Sequence, residues 1–209
     1  MKKRIVCFGD SNTWGYDALT DGRFPDDVRW TGRLRELLGN GYTVIEEGLC
    51  GRTSVFEDPL NEGMNGLTYL NPCLMSHSPI DYLIIMLGTN DCKERFAATP
   101  KNIADGMKRL VLKAKQTEAW RECPGILLVS PGPIEKACET SPVAGEMGIS
   151  SEKSTKLAAE YRICAEQYGC DFLDAADFVT MNQIDYMHLD AESHNRLAEK
   201  LAEIIREKV

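Results

Sequence analysis

Long hydrophobic runs are missing from this sequence, and so is any excess of positive charge. No apolar run approaches the roughly 20 residues that a membrane-spanning helix needs. The apolar run after the basic start ends at Gly9, too early for a secretion signal. Lysine and arginine number 24 against 32 aspartates and glutamates, which gives a formal net charge of −8. Nucleic acids and anionic membranes bind basic surfaces, so we expect neither as a partner.

Metal-binding and redox motifs are also lacking, although the chain contains eight cysteines. The cysteines are scattered without a Cys-x-x-Cys pair, and several stand in apolar stretches where cysteine acts as a small hydrophobic residue. Together with only three histidines, they offer no coherent metal site. We therefore expect reduced thiols, a cytoplasmic location, and no metal or organic cofactor.

The remaining composition is that of an ordinary globular protein. With 209 residues, 43% of them hydrophobic, and no repeat or linker, residues 1–209 are predicted to form a single domain. Short apolar segments alternate with helical patterns, which predicts an α/β protein in three layers (α/β/α) around a central five-stranded parallel sheet. The predicted strands are 4–8, 42–45, 82–87, 126–129 and 171–173. In such a sheet the active site lies at the carboxyl ends of the strands.

Local signals mark the helices between these strands. One helix contains Trp30 and ends at Gly39, and another opens with Thr99 as N-cap followed by proline. A third runs from about Ser154 to a stop at Gly169, and the last begins after Asp190.

A serine and a histidine stand at the positions where a parallel sheet places its site. Ser11 directly follows the first strand, although a polar turn would explain its Gly-Asp-Ser motif equally well. His188 lies beyond the last strand, three residues after Asp185. A serine hydroxyl needs a base to become a nucleophile, and the base needs a carboxylate that sets its tautomer. His77 is interpreted instead as a loop or helix-end residue, and His194 as a structural residue of the last helix.

Two further strand ends carry groups suited to stabilising an oxyanion. Asn90 follows the third strand, where its amide can donate to developing negative charge, although asparagine also favours turns. Gly51 follows the second strand among small residues, so its N–H can face the same point, although an ordinary loop has the same pattern. Each signal is modest alone, but together they supply every group that acyl transfer requires.

The four segments resemble the ordered blocks of the SGNH (GDSL-like) hydrolase family: Gly-Asp-Ser, a glycine, Gly-x-Asn-Asp and Asp-x-x-His. The resemblance covers nearly the whole chain. It is closest to the arylesterase and acyltransferase branch, through residues 5–11, 28–32, 44–49 and 83–91. It implies a flavodoxin-like SGNH fold with a catalytic triad and an oxyanion hole. The implied triad is Ser11, His188 and Asp185, and the implied hole consists of the Ser11 and Gly51 N–H groups and the Asn90 side chain.

The resemblance also implies an activity: hydrolysis of short-chain acyl esters of aryl or alkyl alcohols, with acyl transfer to alcohols and assembly into a homo-oligomer. Tyr16 stands near the acyl pocket where some arylesterase relatives carry tryptophan, which leaves the acyl preference open. A carbohydrate O-acetylesterase would use the same triad. An ordinary α/β-hydrolase would need a Gly-x-Ser-x-Gly elbow in mid-chain, which is lacking. A non-catalytic binding protein on this fold would not need the complete set of catalytic residues.

Overall fold

The computed structural model describes residues 1–209 and contains seven strands and eight α-helices, joined by loops and short 3-10 turns. The strands are β1 (Lys3–Gly9), β2 (Tyr16–Asp17), β3 (Gly22–Arg23), β4 (Tyr42–Gly48), β5 (Tyr82–Met86), β6 (Ile126–Ser130) and β7 (Asp171–Asp174). The helices are α1 (Ser11–Trp14), α2 (Trp30–Leu38), α3 (Gly66–Ser76), α4 (Pro100–Gln116), α5 (Ala144–Met147), α6 (Ser151–Ser154), α7 (Leu157–Tyr168) and α8 (Ala191–Lys208).

Five of the strands form one parallel sheet in the order β4-β1-β5-β6-β7. The remaining two, β2 and β3, form a small antiparallel hairpin after α1. Every residue of β5 and β6 is buried, as expected for central strands that are covered on both faces. The predicted five-stranded parallel sheet is confirmed, and its five segments are those predicted, with first residues that differ by at most one position and last residues that differ by one to three.

The sheet separates two hydrophobic cores, because successive residues of a strand point to opposite faces. Ile5 and Cys7 of β1 face one side, in a core with side chains of α2 and α8. Val6 and Phe8 face the other, in a core with side chains of α3, α4 and α7. Helices therefore cover both faces, which confirms the three-layer α/β/α architecture.

The helices begin and end where local chemistry directs. At the start of α4, Thr99 accepts a hydrogen bond from the Asn102 N–H and Pro100 occupies the first turn. Asp190 caps α8 by accepting from the Ser193 N–H. Gly169 ends α7 in the left-handed conformation, with φ of 60°. The predicted start of α7 at Ser154 is wrong: a separate turn, α6, ends there and α7 begins at Leu157.

The helix α3 was not predicted, because it contains the helix-breaking Pro72 and begins at Gly66. Its stability comes from burial: Leu70 and Leu74 are fully buried against the sheet. None of the helices combines the length and the apolarity that crossing a membrane requires. All eight cysteines are unpaired, and most of them are buried.

Candidate active site

Ser11 lies at the carboxyl end of β1, where the strand turns directly into α1. Asp10 caps this short helix by accepting a hydrogen bond from the Asn12 N–H at 2.9 Å. Burial raises the pKa of Asp10 to about 6, although the Asn12 N–H opposes the shift. Ser11 is 4% exposed and opens onto a cavity, which is the position of a strand-end nucleophile.

The structure brings Ser11, His188 and Asp185 into one hydrogen-bonded chain. The Ser11 Oγ lies 2.8 Å from the His188 Nε2, and the His188 Nδ1 lies 2.7 Å from the Asp185 Oδ2. In this arrangement the His188 Nε2 can take the proton of the Ser11 hydroxyl, while the Asp185 carboxylate holds the N–H proton on the His188 Nδ1.

Asp185 is held by three more hydrogen bonds, all to its other oxygen. Its Oδ1 accepts from the backbone N–H groups of Met187 at 3.0 Å and His188 at 3.1 Å, and from the Asn182 Nδ2 at 2.8 Å. Burial alone would raise the pKa of Asp185, but the hydrogen bond and charge of His188 and the Met187 N–H lower it to about 2. The carboxylate therefore stays ionised at neutral pH with its orientation set.

Asn182 organises the turn that carries both of these residues. Its Oδ1 accepts from the Ile184 N–H at 2.8 Å and the Asp185 N–H at 3.0 Å. Its Nδ2 donates to the His188 carbonyl at 2.9 Å as well as to the Asp185 carboxylate. The sequence analysis missed this residue, because it lies outside the Asp-x-x-His motif and its role depends on the turn geometry.

Asn12 ties helix α1 to the same turn. Its Oδ1 accepts from the Leu189 N–H at 2.9 Å, and its Nδ2 donates to the Met187 carbonyl at 3.2 Å. These two backbone groups flank His188, so the Asn12 amide holds the backbone of His188 in place from both sides. Sequence reasoning missed this contact too, and the only available signal was the position of Asn12 beside Ser11.

The three proposed oxyanion donors, the N–H groups of Ser11 and Gly51 and the Asn90 amide, belong to residues that line the same cavity. The Asn90 Nδ2 donates one N–H to the Arg52 carbonyl at 3.1 Å, which leaves its second N–H free for a ligand. The Gly51 N–H has no hydrogen-bond partner within the protein. Gly51 has φ of 85°, a left-handed conformation that favours glycine.

Asp91 fastens the loop after Gly51 to the loop that carries Asn90. Its Oδ1 accepts from the Ser54 N–H at 3.0 Å and from the Ser54 hydroxyl. Burial raises the pKa of Asp91 to about 6, although the Ser54 hydrogen bonds oppose the shift. Asp91 therefore holds the loop that carries Asn90 against the loop that follows Gly51.

The cavity in front of Ser11 has a volume of about 310 Å³ and is lined in part by residues of two long connections. Asn61 and Met64 come from the connection after β4, and Val143 and Glu146 from the connection after β6. The Tyr16 ring also lines it, with its centroid 4.5 Å from that of the His188 ring.

Four charged side chains link the two connections beside the cavity. Lys93, which is almost wholly buried, forms an ion pair with Glu146. Arg95 contacts the Glu146 carboxylate at 3.2 Å and the buried Asp58 carboxylate at 2.8 Å.

The other two histidines lie outside this cavity. His77 follows the last residue of α3, and its Nε2 lies 2.6 Å from the Glu47 carboxylate. His194 is buried in the first turn of α8, and its Nδ1 accepts from the Trp30 N–H at 3.2 Å. Burial lowers the pKa of His194 to about 3, so its ring is neutral.

Comparison with known proteins agrees with this geometry. The profile of the GDSL-like lipase/acylhydrolase family matches residues 7–197, and the chain belongs to this family. A comparison with curated proteins gave no significant match. The predicted family is thus confirmed.

Solved structures extend the likeness to the whole chain. An aryl esterase from M. smegmatis is 38% identical over 99% of this chain and 100% of its own, with a TM-score of 0.93. A carbohydrate acetylesterase from Sinorhizobium meliloti is 38% identical over 99% of each chain, with a TM-score of 0.92. A lipolytic G-D-S-L protein from Veillonella parvula, only 14% identical, shares the fold with a TM-score of 0.72. The protein is a carboxylic ester hydrolase, as the sequence predicted.

Proposed function

We propose that Ser11 is the nucleophile of this esterase, His188 its general base and Asp185 the residue that orients the base. The observation that carries this assignment is the continuous chain from the Ser11 Oγ through the His188 ring to the Asp185 carboxylate, with contacts of 2.8 and 2.7 Å. The low pKa of Asp185 supports its role, because an ionised carboxylate stabilises the imidazolium that forms during the reaction.

The reaction begins when the neutral His188 ring takes the proton of Ser11 as the Oγ attacks the ester carbonyl. Negative charge then develops on the carbonyl oxygen, and the N–H groups of Ser11, Gly51 and Asn90 stabilise it. His188 returns its proton to the leaving alcohol and an acyl-enzyme remains. Water, or a second alcohol, attacks the acyl-enzyme with His188 again acting as base, which restores Ser11.

The proposed substrates are short-chain acyl esters of aryl or alkyl alcohols. A volume of about 310 Å³ is at the small end for ligand pockets, and it must hold both the acyl group and part of the alcohol. Met64, Val143 and Met187 supply an apolar lining. Each added methylene gains about 0.8 kcal/mol only while there is room, and overpacks the site afterwards. The likeness to the M. smegmatis aryl esterase supports the same class.

A carbohydrate O-acetylesterase is the second candidate, and a specific feature of the cavity favours it. Asn61, Lys93 and Glu146 give part of the lining polar groups that can hydrogen-bond to sugar hydroxyls. The likeness to the Sinorhizobium meliloti carbohydrate acetylesterase supports this candidate equally.

A substrate panel tests both candidates. We would measure kcat/KM for 4-nitrophenyl esters of graded acyl length and for acetylated sugars, with Ser11→Ala as the inactive control. We expect the highest values for acetyl to butyryl esters and a decline for longer chains. Rates that climb steadily with chain length would overturn the short-chain proposal. A preference for acetylated sugars over aryl acetates would select the second candidate.

Transfer to an alcohol is tested on the same enzyme. We infer that the residues of the two connections that line the cavity limit the access of bulk water to the acyl-enzyme, so an added primary alcohol is expected to compete with water as the acceptor. Product analysis with an acetyl ester and excess alcohol should show a new ester. Formation of free acid alone would limit the activity to hydrolysis.

Compartment and assembly are part of the proposal. Eight unpaired cysteines favour a reducing compartment such as the cytoplasm. The net charge of −8 disfavours nucleic acids and anionic membranes as partners. Large exposed side chains such as Leu19 and Leu60 leave apolar surface for a homo-oligomeric contact. Light scattering on the purified protein measures the oligomeric state directly.

A further inference from the structure

A second group of chemically reactive side chains lies outside the catalytic cavity. Glu47 stands near the end of β4, Cys73 on the last turns of α3, and His77 directly after that helix. Cys73 and His77 are four residues apart, so α3 presents both on one face, toward Glu47. None of the three lines the cavity in front of Ser11, and the proposed mechanism uses none of them.

The donor atoms of the three side chains converge. The Cys73 Sγ, a His77 ring nitrogen and a Glu47 carboxylate oxygen all lie within 4.8 Å of one another. The closest pair, the His77 Nε2 and the Glu47 Oε1, is 2.6 Å apart. With zinc bonds of about 2.0 to 2.3 Å, two ligands of a tetrahedral site lie roughly 3.3 to 3.8 Å apart. The contact of 2.6 Å is shorter than this range and the other separations are no greater than 4.8 Å, so side-chain rotations can bring the donors to metal-binding distances.

The present contacts show what a cation would replace. The Glu47 carboxylate has two hydrogen-bond partners here: its Oε1 lies 2.6 Å from the His77 Nε2, and its Oε2 accepts from the Tyr69 hydroxyl at 3.2 Å. The Cys73 Sγ lies within 4.8 Å of the carboxylate and has no hydrogen bond to it. On binding, a cation would take the place of the thiol proton, which passes to solvent, and would bond to sulfur, nitrogen and oxygen together.

The ligand set selects the kind of metal. Magnesium and calcium prefer oxygen ligands alone, whereas a thiolate, an imidazole and a carboxylate suit Zn²⁺. The Arg52 guanidinium lies nearby, with its carbon 5.3 Å from the Tyr69 ring centroid, and it donates to the Glu47 backbone carbonyl. Its positive charge opposes cation binding, so the site needs the two anionic ligands that a thiolate and a carboxylate provide. The partly exposed His77 and Glu47 leave room for a water as the fourth ligand.

We propose that Glu47, Cys73 and His77 form a Zn²⁺ site that fastens the end of α3 to the end of β4. The site is structural rather than catalytic. Glu47 is the last residue but one of β4, and the loop that follows this strand carries Gly51, so the metal stabilises the elements on which the cavity is built.

Zinc binding to the chelator-treated, reduced protein tests the proposal. Calorimetry should show one Zn²⁺ per chain, and X-ray absorption should show one sulfur at about 2.3 Å with nitrogen and oxygen at about 2.0 to 2.2 Å. Cadmium used as a probe should give a thiolate charge-transfer band. At a free zinc concentration about 100 times Kd, the thermal midpoint should rise by roughly 5 to 10 °C.

Matched variants distinguish this site from adventitious binding. Cys73→Ala and His77→Asn should each weaken zinc binding by roughly tenfold or more, and Cys73→Ala should also abolish the cadmium band. Cys123→Ser, which removes an exposed thiol elsewhere, should leave binding and band unchanged. If Cys73→Ala fails to fold, Glu47→Gln serves in its place, and X-ray absorption on the wild type needs no variant. The absence of stoichiometric binding, a zinc shell without sulfur, or binding unaffected by His77→Asn would each overturn the proposal.

Discussion

Replacing Asp185 with asparagine keeps the shape of the side chain and changes the chemistry of the atom that faces His188. In the wild type, three donors hold the Oδ1 oxygen: the N–H groups of Met187 and His188 and the Asn182 amide. An asparagine must keep its carbonyl oxygen in that position, because a flip would point its NH₂ at three donors. Its NH₂ therefore faces the His188 Nδ1, which must then accept. The proton moves to Nε2, where it prevents His188 from acting as a base toward Ser11.

We expect Asp185→Asn to lower kcat by roughly 10³ to 10⁴, the cost of a wrong histidine tautomer in a serine triad. This corresponds to about 4 to 5.5 kcal/mol of transition-state stabilisation. Steady-state hydrolysis of 4-nitrophenyl acetate measures it, and KM should change little because the substrate does not touch Asp185. A thermal midpoint near that of the wild type shows that the turn is intact. A loss of less than tenfold in a folded variant would refute the tautomer argument.

Four further predictions follow from the same structure. Ser11→Ala should abolish turnover and fluorophosphonate labelling while leaving the fold intact. Wild-type turnover in this variant would contradict the assignment of Ser11 as the nucleophile. Asn90→Ala should lower kcat by roughly 10² to 10³ with a smaller change in KM; a change confined to KM would make Asn90 a substrate-binding residue. Burial raises the pKa of Glu46, but hydrogen bonds from Arg29, Thr31 and Arg35 lower it to about 2. Glu46 thus contributes stability above its ordinary value of 4.5 and loses it as the pH falls toward 2. Glu46→Gln should therefore reduce the free energy of unfolding in urea by about 2 kcal/mol at pH 7, and the deficit should narrow in acid; a deficit independent of pH would contradict this. Chelators should leave kcat unchanged at temperatures well below the thermal midpoint, because the proposed mechanism uses no metal; a loss in protein that is still folded, restored by added metal, would refute that.

The sequence predicted those parts of the fold that depend on local chemistry. The five sheet strands are short apolar runs, and Thr99, Asp190 and Gly169 carry standard helix-end signals. The helix α3 escaped prediction because Pro72 argues against it locally, whereas its stability comes from tertiary burial. The start of α7 was misplaced because helical residues continue into the separate turn α6.

The residues of the candidate site can likewise be separated into those that the sequence predicts and those that depend on tertiary structure. Ser11, Gly51 and Asn90 could be grouped from sequence because parallel strands bring their carboxyl ends together. Asn182 could not be found in that way, because its role consists of hydrogen bonds within one irregular turn. The cluster of Glu47, Cys73 and His77, whose donor atoms lie within 4.8 Å of one another, was also missed. The four-residue spacing of Cys73 and His77 has meaning only on a helix, and that helix was not predicted.

The contact between Ser11 and His188 joins residues separated by 177 positions, so the proposed catalytic pair exists only when both ends of the chain have been incorporated. The Asn12 amide closes the same long loop a second time, through Met187 and Leu189. During synthesis, Ser11, Gly51 and Asn90 have all been incorporated long before His188 leaves the ribosome. Under the proposed mechanism, a partly folded or truncated chain carries an inert serine, and recovery of esterase activity during refolding should report the docking of the turn that carries His188 onto α1.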